Sequence, residues 1–255
     1  MERGEAVRED LDWRVGAARV PVRVIRRAGD KTARPVLLLH GLGAGRETQD
    51  KEGTSLAGAG FIAVVVDAPH HGARRSTLLD EIAAARGAAA HELLLRMVRE
   101  AAAEIPGLVE RAAREFGEPV GAVGVSMGAY TALAGAAAEP RLAATVSILG
   151  SPDWTCPGEG TTAAIEAWAR EAPVHRPERF PPRPLLMANG GLDVNVPPEA
   201  ARAFAATLRP LYAAHPDRLV HAEYPLSPHL MREQDWSDLW RRTLDFMCRH
   251  LGRGG

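Results

Sequence analysis

Residues Ala122 to Tyr130 read AVGVSMGAY, an apolar run that breaks at Gly124-Val125-Ser126-Met127-Gly128 and passes straight into a helical pattern. G-x-S-x-G describes a buried strand ending on a serine in a tight turn, with a helix beginning immediately after it. The two glycines lack Cβ atoms, so strand and helix can approach closely while Ser126 takes a backbone conformation that most residues avoid. Its Oγ then stands clear of the sheet. The same turn aims the Met127 amide, at the positive end of the following helix, toward the place where a tetrahedral oxyanion would form. Many glycine-rich strand-to-helix turns hold no catalyst, so the rest of the chain must supply the chemistry.

Upstream, Leu11 to Val15 and Val20 to Arg26 read as two short strands with polar alternation, an antiparallel hairpin at a sheet edge. Pro35 to Leu39 (PVLLL) and Phe61 to Val66 (FIAVVV) are continuously apolar and suit strands buried on both faces. The first delivers His40-Gly41-Leu42-Gly43, where a small-residue turn leaves amides free to point into a cleft. Leu42 N–H is the expected second oxyanion donor, with Gly43 as the fallback, and the His40 side chain is read as a brace of the turn. A helix is expected to begin at Ser55 to Ala59. After FIAVVV, Asp67 to Arg74 (DAPHHGAR) collects turn formers and imidazoles. His70 and His71 are adjacent and have no carboxylate at ligand spacing, so they stabilise a loop rather than hold a metal.

Thr77 to Phe116 has helical spacing interrupted at Ile105-Pro106-Gly107 and reads as two helices crossing one sheet face. Pro119 to Val125 is the strand feeding Ser126, Ala129 to Ala138 the helix leaving it, and Ala144 to Leu149 the next buried strand. Strand and helix alternate with apolar strands throughout, which predicts a mainly parallel sheet covered on both sides. Gly150 to Pro184 breaks the rhythm with many prolines, a helix around Thr162 to Glu171, and scattered aromatics. It reads as a small cap over the cleft. Leu185 to Ala188 resumes the sheet and leads to Asp193, followed by a helix whose first turn accepts Pro197 and Pro198. Arg218 to Tyr224 is the last strand, then comes His229, and an amphipathic helix from Asp235 to Leu251 closes the chain.

A serine hydroxyl is a poor nucleophile at neutral pH and needs a base within hydrogen-bond reach, itself held in the right tautomer by a third group. Ser126, Asp193 and His229 each follow directly on an expected strand, in the chain order Ser, Asp, His. His229 would take the Ser126 proton on attack and return it to the leaving group, with Asp193 accepting from the other ring nitrogen. Asp153, Asp217, Glu223, His215 and His221 are poorer candidates, in the cap or at the wrong end of the last strand.

Composition narrows the alternatives. A chain of 255 residues suits one α/β domain with a full core, and 46% hydrophobic with 25% charged residues marks a globular protein. A formal net charge of −1 gives no electrostatic case for nucleic acid or an anionic membrane. Cys156 and Cys248 form no CxxC, so no metal site is expected. The charged N-terminus and the lack of a long apolar run lead to the expectation of a cytoplasmic protein. No phosphate-binding motif appears, because HGLGAG lacks the lysine and hydroxyl of a P-loop.

The sequence resembles the α/β-hydrolase superfamily from Pro35 onward: HG-x-G, the D-x-P-x-HG-x-R segment at Asp67 to Arg74, GVSMG, GLDVNVP and SPHLM occur in that family's order. Lys51-Glu52 and PHHGAR look like small bacterial carboxylesterases related to the catalytic domain of prolyl-oligopeptidase-type enzymes. The resemblance implies an α/β-hydrolase fold, a mainly parallel twisted sheet with helices on both faces and a small cap insertion at about 150–184. It also implies Ser126 as nucleophile, His229 as base, Asp193 as orienter, and the Leu42 and Met127 amides as oxyanion hole. The expected activity is hydrolysis of carboxylic esters with small to medium acyl chains, without cofactor or metal. The expected partner is a small-molecule ester, with neither nucleic acid nor membrane, and a homodimer stays open. A thioesterase, small peptidase or perhydrolase would use the same triad, and a non-catalytic binding domain would be expected to have lost it. The chain departs from relatives in three ways: it has no room for a propeller, lacks the triple-glycine loop of many lipases, and carries Ser where dienelactone hydrolases have Cys.

Overall fold

The structure is a computed structural model that describes residues 5–30 and 33–252. Among them, eight strands form one sheet: β1 (Ala6–Val15), β2 (Ala18–Arg27), β3 (Arg34–Leu39), β4 (Phe61–Val66), β5 (Val120–Val125), β6 (Leu142–Ile148), β7 (Leu185–Gly190) and β8 (Leu219–Tyr224). The helices are α1 (Asp50–Gly58), α2 (Leu78–Ala84), α3 (Gly87–Phe116), α4 (Met127–Ala138), α5 (Ala163–Ala169), α6 (Glu199–Leu208) and α7 (Glu233–His250). The sheet order is β1-β2-β4-β3-β5-β6-β7-β8. The edge hairpin β1–β2 and its junction with β4 are antiparallel, and every pairing from β4 to β8 is parallel. The hairpin begins at Ala6, earlier than the polarity of its first residues suggests, because that part of β1 is an exposed edge.

Side chains alternate across a strand, and both faces are covered. Val36 and Leu38 of β3 pack with Leu56 of α1 and with Leu239 and Phe246 of α7, while Leu37 and Leu39 pack with Ile105 and Leu108 of α3 and Ala132 of α4. Phe204 and Leu208 bring α6 against Leu133 of α4 and against β7. A strand with two apolar surroundings has no polar face to show, which is why PVLLL and FIAVVV read as unbroken runs.

Two local expectations are corrected. The segment 77–116 does form two helices, but the break falls at Ala85–Arg86, and α3 runs unbroken through Pro106. Proline removes one i→i−4 hydrogen bond, and burial of Ile105, Leu108 and Val109 holds the helix through the gap. Gly107 is there for close approach, since a Cβ on it would lie 2.5 Å from Val15 Cγ1. The helix expected from Ser55 starts at Asp50, after a 3₁₀ turn at Arg46–Gln49. Its polar residues face solvent while Gly53, Leu56 and Ala57 face the sheet.

Residues 149–184 leave the sheet between β6 and β7. They carry α5, capped by the Thr162 hydroxyl on the Ile165 amide, and two 3₁₀ turns. Trp154, Ile165 and Ala172 join a cluster with Leu95 and Val98 of α3 and with Met127 and Tyr130 of α4. The Trp154 carbonyl meets His91 Nε2 at 3.0 Å, and Arg99 of α3 pairs with Glu171 and lies over the Trp168 ring. No helix among the described residues is long and apolar enough to cross a membrane.

Candidate active site

Leu39 pairs with Gly124, so the loops leaving β3 and β5 lie side by side at the carboxyl edge of the sheet. Ser126 sits between β5 and α4 with φ 54° and ψ −118°, a region that side-chain-bearing residues rarely occupy. Its amide donates to Ile148 O at 2.8 Å, and its carbonyl accepts from the Ala129 and Tyr130 amides at 2.8 and 3.2 Å. The backbone is held from both sides, and this fixes where the side chain goes.

Ser126 Oγ lies 2.9 Å from His229 Nε2, and His229 Nδ1 lies 2.7 Å from Asp193 Oδ2. Asp193 is buried, and its second oxygen accepts the Asn195 and Val196 amides, each at 2.9 Å. An ionised carboxylate only accepts, so Nδ1 carries the imidazole proton and Nε2 is left to accept from the serine hydroxyl. The structure thus brings Ser126, His229 and Asp193 into one hydrogen-bonded line.

The loops carrying the last two are tied to each other. Leu192 N donates to Ser227 O at 3.0 Å and Gly191 N to Tyr224 O at 2.8 Å. A Cβ on Gly190 would lie 2.4 Å from Ser227 O, so only glycine permits this contact. Ser227 Oγ in turn donates to Asp235 of α7 at 2.6 Å, which anchors the loop before His229.

The His40 turn lies over the serine: a Cβ on Gly41 would be 3.4 Å from Ser126 Cβ. The Gly41 carbonyl accepts from His40 Nδ1 at 2.8 Å and from the Ala44 amide at 3.2 Å. Because a trans peptide sets C=O and N–H in opposite directions, this clamp turns the Leu42 amide away from His40. The Met127 amide, at the first residue of α4, has no acceptor within its own helix. His40 is buried, its Nε2 accepts from the Ala68 amide at 3.1 Å, and burial holds its pKa below the ordinary histidine value. A neutral His40 therefore staples the β3 turn to the β4 turn.

Asp67 has a role that the sequence reading missed. It is fully buried, accepts the Arg46 amide at 2.8 Å, the Ala73 amide at 2.9 Å and the Arg46 guanidinium, and so joins the loops after β3 and β4. A Cβ on Gly72 would lie 2.2 Å from the Asp67 carboxylate, so the spacing of Asp67 and Gly72 was the available signal. The two neighbouring histidines diverge: His70 Nδ1 meets Ser76 Oγ at 2.7 Å and Nε2 meets Glu100 at 2.6 Å, while His71 Nδ1 donates to Pro69 O at 2.8 Å. Among the described residues no group of three or more His, Cys, Asp or Glu is placed to hold a metal. Glu223, weighed as an alternative acid, is engaged by Arg202 at 3.0 Å. Cys156 and Cys248 are free thiols.

The chain is 28% identical over 209 residues to the Bacillus subtilis (strain 168) protein named "Putative esterase YitV", covering 72% of this chain and 78% of that one. Its fold matches that of TT1662 from Thermus thermophilus, with TM-score 0.77, 24% identity, and coverage of 96% of this chain and 98% of the other. It also matches the Pyrococcus horikoshii acylaminoacyl peptidase, with TM-score 0.74 and 15% identity, where 98% of this chain covers 42% of that one. The model of the dienelactone hydrolase family matches residues 26–251, and the chain accordingly belongs to that family of α/β-hydrolase enzymes.

Proposed function

We propose that this protein is a serine carboxylesterase that cleaves esters of small to medium acyl chains through an acyl-enzyme. The observation that carries this reading is the unbroken line from Ser126 Oγ through His229 to Asp193. As the serine oxygen attacks the ester carbonyl, its proton passes to His229 Nε2, and the buried Asp193 carboxylate stabilises the imidazolium. Charge develops on the carbonyl oxygen, and this reading assigns the Leu42 and Met127 amides as the donors that receive it. His229 then protonates the departing alcohol, and water repeats the sequence to release the acid.

Ser126 in place of a cysteine points to ordinary esters rather than dienelactones. Segment 150–184, whose Trp154 and Ile165 share a cluster with Met127 and Tyr130 at the start of α4, acts in this reading as a cap on the cleft. The substrate is a small molecule taken up in the cytoplasm, and no cofactor takes part.

Labelling with a fluorophosphonate tests the assignment, with covalent modification expected at Ser126. Ser126→Ala is expected to lose on the order of 10⁴-fold or more in ester turnover with the fold intact. An unchanged rate, or a label elsewhere, would remove Ser126 from the mechanism. p-Nitrophenyl esters of rising chain length, run beside thioester and aminoacyl amide substrates, separate an esterase from a thioesterase or peptidase on the same triad.

A further inference from the structure

Seven large apolar side chains are exposed among the described residues, and four of them lie in the two loops that deliver Asp193 and His229. Leu192 and Val194 flank Asp193 and are 56% and 85% exposed, Leu226 precedes His229 at 61%, and Leu230 follows it at 87%. Apart from the buried Asp193 and from His229 itself, residues 190–198 and 225–231 contain no charged or ionisable side chain. The two loops touch, through the Leu192 amide on Ser227 O and through Gly191, where a Cβ would lie 2.7 Å from Pro225 Cα. Scattered apolar side chains on a surface are ordinary, but four on two joined loops around the base are not scattered.

We infer that this rim binds the apolar alcohol portion of the ester, making Leu192, Val194, Leu226 and Leu230 specificity determinants for the leaving group. The inference rests on the esterase reading and sharpens it. In acylation the Ser126 Oγ–acyl carbon bond forms and the acyl carbon–alcohol oxygen bond breaks, with the serine proton passing through His229 Nε2 to that oxygen. The leaving oxygen must therefore lie beside His229, and whatever is attached to it passes over the loops that carry His229 and Asp193. The oxyanion donors at Leu42 and Met127 stand on other loops and fix the carbonyl, leaving the acyl chain to other walls. The occupant is a single ester molecule and not a second copy of the chain: four aliphatic side chains make a patch of a few hundred Å², short of the roughly 800 Å² that each partner of a standard interface buries.

Two substrate series separate the two sides of the ester. Butyrate esters of ethanol, butanol and hexanol vary only the alcohol, and p-nitrophenyl acetate, butyrate and hexanoate vary only the acyl group. With the wild-type chain, kcat/KM is expected to rise about two- to fourfold per alcohol methylene. Leu230→Ser combined with Val194→Ser is expected to flatten that rise and leave the acyl series with its wild-type slope. Leu211→Ser, an exposed leucine outside these loops, is expected to keep both slopes. A flat alcohol series in the wild-type chain, an alcohol slope that survives the double substitution, or collapse of the acyl slope instead would each overturn the inference. So would a rate that climbs only above the ester's aggregation concentration, which would assign the rim to a lipid surface. These results leave hydrolysis and Ser126 labelling in place, whereas loss of both in the wild-type chain would sink the esterase reading and this inference with it.

Discussion

Gly124 and Gly128 meet backbone to backbone: a Cβ on Gly124 would lie 2.1 Å from the Gly128 carbonyl oxygen. A Cβ on Gly128 would in turn lie 2.1 Å from the Leu39 carbonyl oxygen, so β3, β5 and the first turn of α4 are in direct contact. The atoms in the way are main chain and cannot swing aside. Gly124→Ala and Gly128→Ala are each expected to cost more than about 4 kcal/mol, at the severe end for single substitutions, and to abolish fluorophosphonate labelling. Gly58→Ala, with nothing within 4 Å of the added Cβ and a helical position, is expected to be neutral or stabilising by roughly 0.5–1 kcal/mol. Denaturant unfolding curves of the three variants make the comparison.

Asp193→Asn keeps the shape of the acid and its two acceptor contacts with the Asn195 and Val196 amides, while removing the charge opposite His229. The imidazole then loses the partner that selects its tautomer and stabilises its protonated form. We expect kcat to fall about 10³–10⁴-fold, with the melting temperature changed little, as measured with p-nitrophenyl butyrate and by thermal unfolding. A modest loss, within about tenfold, would show that Asp193 positions the loop without orienting the base.

Much of this site could be read in the sequence because its determinants are local. The elbow glycines, the apolar strands before His40, Ser126 and Asp193, and the chain order of the proposed triad are patterns of a few residues each. What escaped is tertiary. Pro106-Gly107 has the composition of a helix stop, and only the packing of Gly107 on Val15 explains why α3 continues. The polar stretch 45–53 looks like a loop until the sheet beneath Gly53 and Leu56 is present. Asp67 reads as a turn residue because two of its partners, the amides of Arg46 and Ala73, are backbone groups, and the third, the Arg46 guanidinium, lies on a separate loop 21 residues earlier, which leaves the spacing to Gly72 as the one local signal. The exposed leucines beside the triad look like any others in one dimension, since their significance is where they gather.

His40→Phe tests whether the turn that carries the proposed oxyanion donor is positioned from below. The aromatic ring replaces the volume but neither accepts from the Ala68 amide nor donates to the Gly41 carbonyl. One buried N–H loses its partner, for a stability loss of about 1–3 kcal/mol, and the Gly41–Leu42 peptide keeps only the Ala44 contact. Losing a complete oxyanion donor costs about 10²–10³-fold, so a loosened one is expected to lower kcat by roughly ten- to a hundredfold with KM nearly unchanged. A variant that loses stability and keeps kcat would confine His40 to a structural part.

Stability is expected to fall on mild acidification, and the cause lies in His40, His71, His91, His221 and His250, all outside the proposed triad. Burial is the largest influence on each of them, and it holds each pKa below the ordinary value of 6.5. Above that value both folded and unfolded chains carry these rings neutral, and pH has no purchase on them. As pH drops through 6.5 the unfolded chain takes up protons that the folded chain refuses, so the free energy of unfolding decreases, by at most about 1.4 kcal/mol per pH unit for each ring. The loss continues until pH passes below the folded-state values, where the rings charge in the native chain as well. Carboxylates such as Glu139, held below its ordinary 4.5 chiefly by its hydrogen bond with Arg141, act only in a lower window. His91→Gln can still donate to the Trp154 carbonyl but does not titrate. It is therefore expected to make the dependence of unfolding free energy on pH between 6.5 and 5 shallower, by at most one proton, and an unchanged slope in urea titrations at those pH values would exclude His91 from the set.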